Sequence, residues 1–210
     1  MMTKLLVVGA GGRAGRAVVK QAAARGVAVT AAVRDPSAYG PVPDDVVLVR
    51  ADVTDADSLA AAAAGHDTMV VTAARLDVDA SEFFRAAATA VVDATTRAGV
   101  TRVVLTGIGT LWVSGHSSRL LDDPALPDEA RTFSLGHLEQ LRVVETADVD
   151  WLIVAPPPVF LEEDGDPHPW MVATSPEDAG PFSFADLGAA LLDEALSPKH
   201  HREVLQVTRS

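Results

Sequence analysis

Cysteine is absent from all 210 residues, which removes disulfides, thiolate nucleophiles and cysteine zinc sites from consideration. Positive charge is scarce: 17 Lys and Arg stand against 29 Asp and Glu, a net charge of −12, so neither nucleic acid nor an anionic membrane is an expected partner. No apolar run approaches the roughly 20 residues needed to span a bilayer. No leader pattern precedes the first strand, which starts after Lys4, so a cytoplasmic location is the expectation. Nothing repeats at a fixed period. His116, His137 and His168 lack the H-x-x-x-H or H-x-H spacing of a metal site, and no metal is expected. A G-x-S-x-G elbow is also missing, which argues against a serine hydrolase.

What is present is organised around the first turn. Leu5-Leu6-Val7-Val8 is a short apolar run ending at glycine, the pattern of a parallel strand buried on both faces. A helical pattern follows from Arg13 to Arg25, with Gly26 where a helix C-terminus favours glycine. Between them lies Gly9-Ala10-Gly11-Gly12-Arg13-Ala14-Gly15, a G-x-x-G-x-x-G spacing with an extra glycine at 11. A phosphate needs backbone N–H groups aimed at it without side chains in the way, and a helix N-terminus adds about half a positive charge. Gly9 suits the tight turn, Gly12 the approach of a pyrophosphate, and Gly15 close packing of helix on strand. Gly9, Gly11, Gly12, Arg13, Ala14 and Gly15 are therefore the expected diphosphate site of a dinucleotide.

The rest reads as alternating strands and helices: one Rossmann-type α/β domain over residues 1–210, a doubly wound parallel sheet with helices on both faces. A second strand, Val27 to Val33, ends at Arg34-Asp35-Pro36, where such folds meet the adenine ribose. An acidic residue there binds the 2′-hydroxyl of NAD, and an arginine accommodates the 2′-phosphate of NADP. Arg34 comes first, so NADP(H) is favoured over NAD(H), with Arg13 as a second phosphate contact; a strand ending one residue later would give the ribose to Asp35. Asp52 and Val53 follow the third strand, Val46 to Arg50. There Asp52 serves either adenine or, like Thr54 or Asp55, the cap of the next helix. Ala73 and Ala74 leave room beyond the fourth strand, Thr68 to Thr72. Ser81 to Ala98 is the longest helix, with Phe83, Phe84, Ala87, Val91 and Ala94 on a core stripe.

After the fifth strand, Arg102 to Leu105, the alternation breaks. Residues 107–127 and 156–181 are irregular and leave neighbouring strand ends, where open α/β sheets bind ligands. Thr106 and Gly107 belong with the cofactor. Ile108, Trp112, Ser114, His116, Pro157 and Pro158 are the expected substrate-pocket residues. His168 carries a similar weight to His116, Trp112 and Trp170 could stack on a flat ligand, and His200-His201 look solvated.

The glycine turn, with Val33-Arg34-Asp35-Pro36 and Ala51-Asp52-Val53-Thr54, is similar to the NAD(P)-binding half of atypical short-chain dehydrogenases/reductases of the NmrA-like branch. Three further stretches resemble the NADH-flavin reductase group related to biliverdin-IXβ reductase: Thr106-Gly107-Ile108-Gly109-Thr110-Leu111 with Asp122-Asp123-Pro124 and Leu126-Pro127, Asp150 to Pro156, and Asp186 to Glu194. The likeness covers nearly the whole chain and implies an NADPH hydride donor with a flavin or similar flat acceptor against the nicotinamide.

Departures from these patterns bear on chemistry. The Tyr-x-x-x-Lys of short-chain dehydrogenases falls on Phe133 and His137, and a phenylalanine has no proton to give. The serine expected after the fifth strand falls on Gly107, leaving Thr106 as the nearest hydroxyl, and the histidine of the biliverdin/flavin reductase pattern falls on Pro158. Thr106 and His137 are the remaining candidate catalytic residues, His137 for its near-neutral pKa. Without a proton donor worth 10²–10⁴-fold, a flavin or quinone acceptor fits better than a carbonyl. The leading expectation is an NADPH-dependent reductase of flavin-reductase type acting on a small molecule. An NADP(H)-binding redox sensor without turnover is the alternative, and a nucleotide-sugar epimerase or dehydratase a weaker one. Monomer and dimer both remain open.

Overall fold

Leu5–Val8 (β1) is apolar throughout because both its faces are covered: Leu5 and Val7 enter one core, Leu6 and Val8 the other. The computed structural model describes residues 3–111, 119–163, 165–175 and 178–210. The other strands are Val29–Val33 (β2), Val46–Arg50 (β3), Thr68–Val71 (β4), Arg102–Thr106 (β5), Asp150–Ala155 (β6), Trp170–Val172 (β7) and Glu203–Arg209 (β8). They form one sheet ordered β3-β2-β1-β4-β5-β6-β8-β7, in which every pairing is parallel except that of β7 with β8.

Helices Arg13–Ala24 (α1) and Phe184–Leu196 (α5) pack on one face, and Ala56–Ala63 (α2), Ala80–Ala98 (α3) and Asp128–Val144 (α4) on the other. This is the doubly wound α/β architecture expected. The chain runs outward from β1 to β3, then restarts on the other side of β1 at β4, so the strand order reverses between β1 and β4. A crevice opens above the carboxyl ends of the strands at such a reversal.

Phe83, Phe84, Ala87, Val91 and Ala94 are all buried in the core under α3. The α3 cap, however, is Asp79, which accepts from the Glu82 amide, and Ser81 lies inside the helix. Asp55 caps α2 by accepting from the amides of Asp57 and Ser58, which leaves Asp52 to a turn of its own. The second irregular stretch contains a strand that its prolines conceal: β7 pairs with β8 at the sheet edge, and Trp170 donates its indole N–H to Asp193. His168 does not line the crevice either, and its amide donates to buried Asp186. Asp186 also accepts from the Ser183 amide and from Arg209; burial alone would raise its pKa, but these hydrogen bonds hold it at about 2.

His200 and His201 are not free solvated residues. They close a network at the opposite end of the sheet, where buried Arg102 pairs with Glu194 and Asp150, His200 Nδ1 lies 2.8 Å from Glu194, and His201 Nδ1 lies 3.0 Å from Asp150. No helix among the described residues is long and apolar enough to cross a membrane.

Candidate functional site

The start of α1 differs from every other described helix start. α2, α3 and α5 carry side-chain caps, and α4 has Asp128 and Glu129 in its first turn. α1 has Gly12 at its N-cap position, with no side-chain cap and no acidic residue in its first turn, so its orphan amides and partial positive charge face the crevice uncompensated.

The glycines there divide by the reason for their smallness. Gly9 holds φ +79°, and a Cβ on it would lie 2.6 Å from the Ala73 nitrogen; a Cβ on Gly15 would lie 2.3 Å from the Gly9 oxygen. Both are glycine because the protein packs on them. Gly12 has φ −76° and ψ 170°, open to any residue, and its Cβ would meet nothing nearer than 3.5 Å. The fold does not require glycine at 12, whereas a ligand passing over that backbone would. Gly11 is similar, its nearest neighbour being Val33 at 3.5 Å. The loop is braced by Arg16, which donates to the carbonyls of Gly11 and Tyr39 and lies over the Tyr39 ring. Thr72 donates to the carbonyls of Val8 and Gly9, tying the loop to the exit of β4.

From this turn a cleft of about 1250 Å³ runs across the sheet. Its lining brings together Gly9, Gly11, Gly12, Arg13, Ala14, Arg34, Asp52, Val53, Ala73, Ala74, Thr106, Gly107, Ile108, His137, Pro157 and Pro158. Gly15, expected among the diphosphate residues, is not part of the lining and instead packs against Gly9, Ala10 and Thr72. Trp112, Ser114 and His116 lie outside the described residues.

At the β2 end, Arg34 is exposed and makes no hydrogen bond or ion pair among the described residues. Asp35 accepts from the Ser37 amide and hydroxyl, which hold its carboxyl below the usual range and cap a short turn. Asp52 is similarly engaged by the amide and hydroxyl of Thr54, its pKa lowered by those bonds, while Val53 is buried beside it. Arg13 is paired with Glu163 and lies over the Phe184 ring.

The β5–β6 end is different. A Cβ on Gly107 would lie 2.3 Å from Ile153 Cγ2, so no side chain, serine included, fits there. Gly109 lies against Pro156 and Pro158, holding the two irregular segments together. Thr106 Oγ1 is buried without a hydrogen-bond partner although its residue lines the cleft. His137 is stacked 4.1 Å from Phe84 and edge-on to Phe133; burial pushes its pKa down to about 3, and Nδ1 has no partner. It is a neutral imidazole, unable to supply the positive charge of a lysine. Gly136 makes this packing fit, since a Cβ there would lie 2.6 Å from Phe84.

Sequence reasoning missed the rim. Leu76, Leu120, Val159 and Phe160 all line the cleft and are exposed, Phe160 completely. The one sequence signal was an aromatic in a proline- and acid-rich loop, with no apolar neighbour at helix or strand spacing beyond its own run.

A family model described as NAD(P)H-binding matches residues 9–198. The chain is 28% identical over 208 residues to the uncharacterised protein YwnB of Bacillus subtilis, covering 95% of each. Among solved structures, it is similar to a protein from Streptococcus pneumoniae provisionally described as an NADH-flavin reductase (TM-score 0.83, 25% identity, 99% of this chain and 100% of that one). It is also similar to one from Burkholderia pseudomallei provisionally described as exported (TM-score 0.82, 27% identity, again 99% and 100%).

Proposed function

This chain belongs to the NAD(P)H-binding family, and from that premise we propose that it is an NADPH-dependent reductase that passes hydride to a flat acceptor, a flavin or a quinone. The observation that carries the reading is the uncapped start of α1 beneath Gly12, a glycine that the protein's own packing does not require. The amides of that turn hold the diphosphate and Arg34 takes the 2′-phosphate, since its guanidinium is unpaired while Asp35 is engaged in a cap. Val53 walls the adenine, and Ala73 and Ala74 leave space for the second ribose. When bound, the dinucleotide supplies a hydride from its nicotinamide C4.

The unpartnered Thr106 hydroxyl is placed to hydrogen-bond at the β5 end of the cleft and to orient what lies there. Among the described residues no proton donor stands beside it: Phe133 has no ionisable group, and His137, with its pKa at about 3, remains neutral near pH 7. The final proton then comes from water, which a reduced flavin or quinone tolerates and a carbonyl reduction does not. The similarity to the Streptococcus pneumoniae protein supports the same acceptor class.

The test is to follow the reduced-nicotinamide absorbance with NADPH and, in turn, FMN, riboflavin and a quinone. Oxidation with at least one is expected; none with any sinks the reading. Tight NADPH binding in the absence of any turnover would instead favour a redox sensor, for which the missing proton donors already speak.

A further inference from the structure

The cleft is divided by charge. Four guanidinium side chains line it, Arg13, Arg16, Arg34 and Arg75, against the carboxylates of Asp35 and Asp52, and all six come from the chain before β5. From Thr106 onward, the described lining contains no Lys or Arg and one carboxylate, Glu129 in the first turn of α4. The arginine nearest in that helix, Arg131, is committed to the carbonyls of Leu121, Asp123 and Leu126. The rim above this half is apolar and open, with Leu120, Val159 and above all Phe160, at 102% exposure, facing solvent. Exposed apolar side chains gathered round one opening mark a surface that meets apolar ligand. A phosphate placed there would lose hydration without gaining a cation and would face Glu129 in a chain of net charge −12.

We infer that the second ligand of the cleft is an uncharged planar molecule with an apolar face, a quinone or an unphosphorylated isoalloxazine, and that phosphorylated flavins are disfavoured. This rests on the reductase reading above and narrows it. The reaction balances as hydride from the dinucleotide, which carries two electrons and one proton, plus one proton from water. The C4–H bond breaks, the acceptor leaves as hydroquinone or dihydroflavin, and the dinucleotide leaves oxidised.

Riboflavin and FMN share one ring and differ by a phosphate, so they isolate the charge term. Their affinities for the full chain saturated with NADP⁺ are to be measured by quenching of flavin fluorescence, alongside NADPH oxidation rates with riboflavin, FMN and a naphthoquinone. Riboflavin is expected to bind about tenfold tighter than FMN or better, a factor typical of one uncompensated charge. Equal or tighter FMN binding overturns the inference, as does a failure of both to bind. Riboflavin preferred in binding but no acceptor reduced leaves the charge inference standing and removes the reductase reading instead. In Glu129→Lys the riboflavin-to-FMN affinity ratio should fall at least about threefold, and an unchanged ratio means that this wall's charge does not discriminate.

Discussion

The two halves of the cleft are built on opposite plans. Between α1 and the exit of β4 the wall is glycine and alanine backbone under an uncapped helix, with four guanidinium groups beside it. From β5 onward it is proline, phenylalanine and aliphatic side chains, with a neutral imidazole and a single carboxylate. The first half leaves the amides of one helix start and a single guanidinium, Arg34, without a partner among the described residues, and the second leaves apolar surface uncovered. A ligand is recognised by what the protein declines to satisfy internally, and that is the basis for proposing a polyanion at one end of the crevice and an uncharged ring at the other.

The sharpest way to break this contrast is Gly12→Asp. The new carboxylate would cap α1, raising stability by up to about 1 kcal/mol, while placing a negative charge where the diphosphate sits. Dinucleotide affinity by calorimetry should fall by about 100-fold or more while Tm rises, and retained affinity would refute the cradle.

The second half is tested through His137. Its pKa is about 3 when folded against about 6.5 unfolded, so between those values the unfolded chain binds the extra proton. Stability therefore falls as pH drops below 6.5, by about 2 kcal/mol at pH 5 from this group alone. His137→Leu should flatten the decline in denaturant stability between pH 7 and pH 5 by that amount; parallel curves would mean the imidazole is not held neutral. Arg34→Ala should weaken NADPH by about 10- to 100-fold and NADH by less than about threefold, and equal losses would remove the NADP preference. The smallest effect is expected of Glu163→Gln. It frees Arg13 from an ion pair whose partners are 61% and 59% exposed, and should tighten NADPH by less than about threefold in the same titration.

The first half of the cleft was largely legible in the sequence because its determinants are local. Glycine spacing, a strand before it and a helix after it all fall within residues 5–25, and the Arg34 position follows from one strand end. What the sequence hid lies mostly outside that half and depends on contacts made elsewhere in the fold. Nothing near Pro169 foretells that Trp170–Val172 would pair antiparallel with Val207–Arg209, since that ladder is made 35 or more residues away. The His200-His201 pair reads as a solvated end until Glu194 and Asp150 are seen beside it. The cap of α3 fell two residues early because Asp79 and Ser81 are both good caps, and only the backbone decides between them.

Gly107 carries a consequence for anyone who would turn this scaffold into an alcohol dehydrogenase. Because its missing Cβ would lie 2.3 Å from Ile153 Cγ2, a hydroxymethyl group cannot be installed at 107 while isoleucine or valine occupies 153. The substitutions are ordered: Ile153→Ala has to come first, at the cost of a hole in the core, and Gly107→Ser can then fill part of it. Taken singly each step is a loss, so a serine at 107 is separated from the present glycine by a valley that only the double change crosses, and the tyrosine and lysine positions at Phe133 and His137 would still have to be filled.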